Sequence, residues 1–490
     1  MPSKIKLLKA YRKLTRTGKL KSDKKIENLL RTRKVRSLSG ITAITVITSP
    51  CPQWSSGKPI SCPWNCVYCP NEKNMPKSYL ANEPACMRAK LTNFDPYKQT
   101  EVRLNSLTAA GHATDKIELI VLGGSWTAYP KQYQSWFIKR CFDACNQSSS
   151  STLKQAQKKN ETAKNRIIGI TLETRPDYIT PKEIKRMRNL GCTRVELGVQ
   201  TIYNNILNYS RRGHGVKETI TATRLLKNAG IKVTYHIMLN LPKSNLKKDE
   251  KIFDELFSNP DFQPDQLKIY PCVILKTAPL YKLWKQKKYK PYTENQLINL
   301  LIRIKKKIPL YVRIIRVIRD IPSPSIIAGN KVSNLRQVIK QKAGNICRCI
   351  RCREIKSGKV KVGNIKLERR EYQASGGKEI FLSFEDVKQD KLLAFLRLRI
   401  TNQWTIPTLN NSAIIRELHT YGHVAKLSKK SNSKFVQHKG LGKKLMNIAE
   451  KIVKTETEFR KISVISGIGV REYYRNLGYK LKNEYMIKEL

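Results

Sequence analysis

The sequence predicts an α/β protein in two parts, a partial (β/α) barrel with a parallel sheet followed by a smaller α+β domain. Three observations carry this. The chain has 490 residues, room for at least two ordinary domains. From Gly40 to Pro324, β-branched apolar runs alternate with amphipathic stretches. From Glu371 onwards three strand patterns follow one another, and then come a helical stretch from Gln437, a short strand and a short helix. With 40% hydrophobic and 27% charged residues, the composition excludes a wholly disordered protein.

Residues 1–36 hold 14 Lys and Arg against Asp23 and Glu27, with Leu7, Leu8, Tyr11 and Leu14 at helical spacing. This reads as a basic arm for a polyphosphate, or as a solvated surface helix. Residues 37–330 carry the strand candidates Ile41–Thr48, Ile117–Gly124, Arg166–Thr174, Thr193–Thr201, Lys232–Leu239, Leu267–Ile274 and Val312–Ile321. Between them lie helical patterns such as PKEIKRMRNLG and VKETITATRLLKNAG, each closing at a glycine. Strand and helix in alternation imply a parallel sheet with its chemistry at the C-terminal strand ends. Residues 331–370 read as a basic, cysteine-bearing connector, and residues 371–490 as the second domain.

Charge narrows the partner class. The 95 Lys and Arg against 37 Asp and Glu leave +58, spread along the chain, so a polyanion is the expected partner; a compositional drift towards Lys, Asn and Ile codons is the alternative. The start has no apolar signal-peptide core, and no run reaches the roughly 18 apolar residues of a membrane span, so an intracellular, cytoplasmic protein without membrane contact is expected. Twelve cysteines are too few for a disulfide scaffold, and six of them fall in two tight clusters that suggest metal.

Cys62, Cys66 and Cys69 stand in C-x3-C-x2-C spacing after the first strand candidate. Three thiolates on one short loop suit three irons of a [4Fe–4S] cluster, with the fourth iron open to a ligand; a zinc loop would want a fourth protein ligand nearby. Cys51 with Cys66 and Cys69 is the other triad available. Here the sequence resembles the radical S-adenosylmethionine superfamily, in which S-adenosylmethionine occupies the open iron and yields a 5′-deoxyadenosyl radical. The resemblance casts Gly123 and Gly124 as the glycine pair at the cofactor's amino group and Glu173 of LETRPD as its ribose contact. Cys347, Cys349 and Cys352 form a second group, read as a structural zinc site or as three free thiols, with no fourth ligand evident.

Gln437, Gly440 and Gly442 in QHKGLG fit the Q-x-x-G-x-G/A pattern of the acetyl-coenzyme A N-acetyltransferase superfamily, whose loop amides cradle a pyrophosphate. ELHT (Glu417 to Thr420) precedes it, and Tyr473 and Tyr474 follow it where that fold often sets a tyrosine near the thioester; core packing is the other reading of the tyrosines.

CVYCP, EPACMRA, DKIEL, ITLETRPDY, GCTRVELGVQT, RRGHGV, LKIYP, RDIPSP, IRELHTYG, QHKGLG and KISVISGIGVREYYRNLGY, in this order, resemble the catalytic-subunit family of the Elongator complex, the tRNA carboxymethyluridine synthases. That resemblance implies an acyltransferase that forms 5-carboxymethyluridine at the wobble position of tRNA anticodon stem-loops from acetyl-coenzyme A. Accessory Elongator subunits and a homodimer are further partners to expect. It places Lys116, Glu417, Leu418, His419, Thr420, Leu441, Gly442, Lys443 and Tyr474 at the coenzyme, with Tyr474 also catalytic. In so basic a chain Lys116 also reads as a surface lysine. His236, Lys268 and Tyr270 are expected in the barrel mouth, or else as packed strand residues. Departures from the family pattern are Pro70-Asn71-Glu72, Met238-Leu239-Asn240 and Ile315. A protein lysine acetyltransferase with a structural iron–sulfur domain is the rival function, though the overall charge would repel cationic tails.

Overall fold

The computed structural model describes residues 4–21, 23–30, 39–52, 54, 60, 62–356, 362–422 and 440–490. Nine strands belong to its first half: β1 (Thr42–Ile47), β2 (Lys116–Leu122), β3 (Arg166–Thr174), β4 (Cys192–Gln200), β5 (Lys232–Leu239), β6 (Gln266–Pro271), β7 (Ile274–Leu275), β8 (Arg313–Arg316) and β9 (Ile326–Ala328). Seven of them run parallel in the order β1-β2-β3-β4-β5-β6-β8, while β7 and β9 pair with each other. β1 and β8 are both edges, so the barrel is partial. All seven parallel strands nevertheless line one cavity, so the sheet curls around it.

Alternation sorts the strands. Glu118, Ile120 and Leu122 of β2, Arg194 and Glu196 of β4, and Gln266, Lys268 and Tyr270 of β6 face the lumen, while the residues between them face the surrounding helices. β3 and β5 cover the residues their apolar runs predict. The run from Leu267 stops at Pro271, which cannot donate to the ladder, and restarts as β7. The run from Val312 keeps only Arg313–Arg316 as strand.

At the N-terminus, Lys4–Arg16 is helical as its spacing predicts, and Leu8 and Tyr11 are buried. The Tyr11 hydroxyl donates to the Asp23 carbonyl at 3.2 Å, folding the following helix Lys24–Leu30 back on the first. Arg12 Nη1 donates to Thr108 O at 2.6 Å and docks the pair on the helix Pro96–Ala109.

The second sheet comprises β10 (Ile365–Ala374), β11 (Gly377–Asp386), β12 (Lys391–Ile400), β13 (Ala413–Thr420), β14 (Lys461–Val464), β15 (Lys480–Lys482) and β16 (Tyr485–Glu489), in the order β10-β11-β12-β13-β14-β16-β15. Its neighbours are antiparallel except β13 and β14, which are parallel and joined through the helix Leu441–Glu456. β10 begins inside the segment that reads as a connector. Lys366, Glu368, Arg370 and Tyr372 alternate there with few apolar partners, and no hydrophobic period marks it. A bulge at Arg416 shifts the register between β12 and β13.

The second sheet covers the N-terminal strand ends of the barrel. Arg416 pairs with Asp265, just before β6, and the Tyr485 hydroxyl donates to the Ala229 carbonyl at 2.8 Å, before β5. Ile406, Leu409, Ile414, Ile465, Ile468 and Tyr485 pack into the same core as the barrel helices, so apolar burial is continuous across the seam. Among the described residues no helix is long and apolar enough to cross a membrane.

Candidate active site

The C-terminal ends of β1 to β3 carry the cysteine loop and its neighbours. Cys66 is buried; Cys62 and Cys69 are partly so. Burial, then the facing Cys66 and Cys62, push the Cys69 thiol up to about 12, which marks a pocket that wants positive charge when the sulfur ionises. The three sulfurs do not converge within 4.8 Å, whereas those of Cys347, Cys349 and Cys352 do. The first set is thus spread too widely for one zinc ion with bonds of about 2.3 Å, and the second is not. A multi-iron cluster fits the first donor set. Cys51 is exposed.

Gly123 and Gly124 follow β2 at φ 137° and 91°. A Cβ on Gly123 would run into the Thr48 side chain, and one on Gly124 would lie 3.4 Å from the Lys77 carbonyl and 3.9 Å from the Cys62 amide. The backbone there is a cradle beside the cysteine loop. Glu173, at the end of β3, shares a small pocket with both glycines, and the Tyr79 hydroxyl donates to its Oε2 at 2.6 Å.

Within the lumen His236 stands between two carboxylates, with Nδ1 3.2 Å from Glu173 Oε1 and Nε2 2.8 Å from Glu196 Oε2. Lys268 donates to the same Glu196 oxygen. Burial alone would raise the Glu196 pKa; Lys268 and then His236 outweigh it and hold the carboxyl well below its usual range. Burial pulls Lys268 down, Glu196 lifts it further, and the ammonium stays charged. Tyr270 meets the His236 ring edge-on at 5.4 Å. Glu196, the centre of this network, is not among the residues singled out from the sequence. The alternation Arg194, Glu196, Gly198, Gln200 against Val195, Leu197 and Val199 is the signal that marks it.

The cavity encloses about 1170 Å3 and runs the length of the barrel. Tyr68 and Cys69 line one end; Glu417, His419 and Tyr421 of the second sheet line the other. Burial would raise the Glu417 carboxyl, but Lys232 and Arg397 bring it down to about 2. His419 Nε2 lies 2.9 Å from the Ser39 carbonyl.

Leu418 and Thr420 face the opposite way. A Cβ on Gly442 would lie 3.1 Å from the Tyr473 hydroxyl, 3.7 Å from Thr420 Oγ1 and 3.9 Å from Leu418 Cδ2, so these four residues meet. β14 pairs with β13 along Ala413–Ile415. Gly440 caps the helix Leu441–Glu456 at φ 69°; Leu441 is buried and Lys443 exposed. An N-terminal helix turn beside this part of β13 fits an anionic ligand. Tyr473 is the tyrosine at Gly442, while Tyr474 is buried against Tyr479. Lys116 opens β2 at the end of the barrel that the second sheet covers, and burial lowers its pKa. Gln437 lies outside the described residues.

The second cysteine set sits on the seam. Cys347 and Cys349 belong to the barrel core and Ile350 to the core of the second sheet. Cys347 and Cys352 hydrogen-bond to the Cys349 sulfur and hold its pKa well below the thiol value. Among the described residues no fourth His, Cys, Asp or Glu joins them.

Residues 60–256 match the model of the Radical SAM superfamily, and residues 264–344 that of the Radical_SAM C-terminal domain. The chain is 48% identical over 479 residues to a tRNA uridine(34) acetyltransferase of Methanocaldococcus infernus, covering 94% of this chain and 88% of that one. It is 40% identical over 477 residues to human Elongator complex protein 3, covering 94% and 86%. The solved structure of Methanocaldococcus infernus Elp3 with an N-terminal deletion superposes with a TM-score of 0.81 at 46% identity, over 92% of this chain and all of that one. A curled parallel half-barrel with a cysteine loop at one end and a mixed sheet across the other, matched at this identity over almost the whole chain, makes the protein a member of the Elongator complex protein 3 family of the radical SAM superfamily.

Proposed function

We propose that this chain modifies the wobble uridine of tRNA, forming 5-carboxymethyluridine from acetyl-coenzyme A by radical chemistry. The observation that carries the reading is the single lumen joining the cysteine-loop end of the barrel to Glu417 and His419. Cys62, Cys66 and Cys69 would hold a cluster which, with S-adenosylmethionine bound, would supply a carbon radical able to take hydrogen from an unactivated methyl group. In the overall change the acetyl methyl carbon becomes bonded to C5 of uracil, and thioester hydrolysis leaves the carboxylate.

The chain's own residues have distinct tasks in this reading. The amides at Gly123 and Gly124 and the Glu173 carboxylate orient S-adenosylmethionine. The β13 edge at Glu417–Thr420, the helix start at Leu441–Lys443 and Lys116 hold the coenzyme. Tyr473 occupies the position at Gly442 that sequence reasoning gives to Tyr474. Replacing hydrogen at C5 releases a proton and one electron; the electron would return to the oxidised cluster, and His236, bridging Glu173 and Glu196, is placed to relay the proton away. Lys268 keeps Glu196 ionised throughout. The basic helices of residues 4–30 hold tRNA phosphates outside the mouth while the base leaves its stack to enter. Zinc on Cys347, Cys349 and Cys352 would pin the seam.

The test is an anaerobic reaction of iron-reconstituted chain with tRNA, reductant, S-adenosylmethionine and acetyl-coenzyme A, with nucleosides read by mass spectrometry. Carboxymethyluridine that disappears in Cys66→Ala supports the reading. Acetylated protein tails with unmodified tRNA would replace it by the lysine acetyltransferase reading.

A further inference from the structure

The segment RRGHGV follows the short helix Asn204–Tyr209, and its second arginine has an unusual setting. Arg212 is buried; its Nη2 donates to the Gly198 carbonyl at 2.5 Å, its Nη1 reaches Cys66 Sγ at 3.6 Å, and its Nε has no partner among the described residues. Two other buried arginines of the barrel meet carboxylates, Arg175 with Asp177 at 2.9 Å and Arg194 with Glu118 at 2.7 Å, while Arg188 donates to the Cys192 and Glu484 carbonyls. Arg212 has no such carboxylate among the described residues. A buried cation needs a counter-charge, and the group of the cysteine loop that it reaches is the Cys66 sulfur.

The neighbours are shaped around this guanidinium. A Cβ on Gly198 would lie 2.5 Å from Nη2 and 3.1 Å from Gln200 Nε2. Gly213, at φ 74°, takes the Trp64 ring of the cysteine loop against its α-carbon, where a side chain would collide with it. The Val67 amide donates to the Ser210 carbonyl at 3.1 Å, so the cysteine loop docks on this same segment.

We infer that Arg212 sets the reduction potential of the iron–sulfur cluster held by Cys62, Cys66 and Cys69, through its N–H···S contact and its fixed positive charge. Three thiolates leave the cluster net negative, and the electron accepted from a one-electron donor such as dithionite adds to that charge. A buried cation and a donor at the sulfur both stabilise the more negative state, so Arg212 makes reduction easier. No bond forms or breaks in this step; one electron leaves the donor and stays on the cluster. Arg212 is a positioning residue, acting through Cys66, and the inference rests on the cluster reading of the loop.

The experiment is an EPR-monitored redox titration of the anaerobically reconstituted full chain as wild type, Arg212→Lys, Arg212→Gln and Gly198→Ala, with iron and sulfide measured per chain. With iron content retained, the midpoint should move to more negative potential in Arg212→Gln, and the reduced-to-oxidised ratio at the wild-type midpoint should fall by about tenfold. Arg212→Lys should recover part of the shift. An unchanged midpoint in an intact Arg212→Gln cluster overturns the inference. If Arg212→Gln loses iron, Gly198→Ala decides: it displaces the guanidinium without removing it, and a wild-type midpoint there overturns the inference equally. Failure of the cluster reading would look different, with wild type and Cys66→Ala binding the same iron.

Discussion

Arg416 and Asp265 fasten the second sheet to the barrel, with the guanidinium donating from Nη1 at 3.0 Å to Oδ1 and from Nη2 at 2.6 Å to Oδ2. Both side chains are wholly buried, and Glu379, Lys227, Arg399 and Arg397 complete a charged network among them. Removing one partner strands the other's charge away from water. Arg416→Ala should therefore cost about 3–5 kcal/mol, whereas replacing Arg416 and Asp265 together by Met and Leu should cost less. Urea denaturation of the variants measures both.

Glu417 gives the interface a pH dependence. Its carboxyl lies at about 2 against an ordinary 4.5, so its contribution is complete above pH 4.5 and is lost as pH falls through the folded value. The contribution is on the order of 3 kcal/mol. Stability of wild type and Glu417→Gln, measured by denaturation between pH 6 and about pH 2, should differ most at the upper end and converge at the lower.

His236→Ala removes the bridge between Glu173 and Glu196. Carboxymethyluridine formation should fall by about a hundredfold or more, the usual scale for a lost proton acceptor. Cleavage of S-adenosylmethionine, followed as 5′-deoxyadenosine, should persist, because the cysteine loop and Gly123 are untouched.

Gly442→Val would push a side chain against the Tyr473 hydroxyl and Thr420. Acetyl-coenzyme A affinity, measured by calorimetry, should weaken by about tenfold or more while the unfolding temperature moves little. An unchanged affinity would move the coenzyme away from this cleft.

tRNA affinity should fall steeply with salt, by about a thousandfold between 50 and 200 mM if six phosphates are neutralised. Deleting residues 1–36 should flatten that slope, because 14 basic side chains go with them. Filter binding across a salt series reads both.

How much of this was legible in the sequence depends on how strongly each residue's neighbours mark it. β3 and β5 are mostly apolar, β-branched runs of strand length, the pattern of a buried parallel strand, so their bounds match. The cysteine loop, Gly123 and Glu173 are local features of strand ends, and the structure gathers them. Glu196 was hidden because a carboxylate in an apolar strand looks like noise until the curled sheet turns that face into a lumen. β10 was hidden for the opposite reason: its side chains are mostly polar on both faces, and only pairing with β11 makes it a strand. Tyr473 and Tyr474 are adjacent, and which of them faces Gly442 is decided by a helix of five residues whose phase the sequence leaves open.

The bulge at Arg416 has a consequence for what the strand can tolerate. In a regular strand Arg416 and Glu417 would lie on opposite faces; the extra residue sends both towards the barrel and returns Leu418 to the face that meets Gly442. The segment behaves like a two-sided ruler whose zero mark is Arg416. Straightening the bulge with Arg416 kept would bring Leu418 and Thr420 into the lumen and drive Glu417 towards apolar packing, exchanging the linings of two compartments at once, whereas deleting Arg416 would leave a regular ladder with Glu417–Thr420 facing as they do. The bulge, more than the identity of any one lining side chain, is the inherited quantity at this position: deleting Arg416 should spare the linings of both compartments and cost the Arg416–Asp265 pair, while straightening the bulge should disturb both.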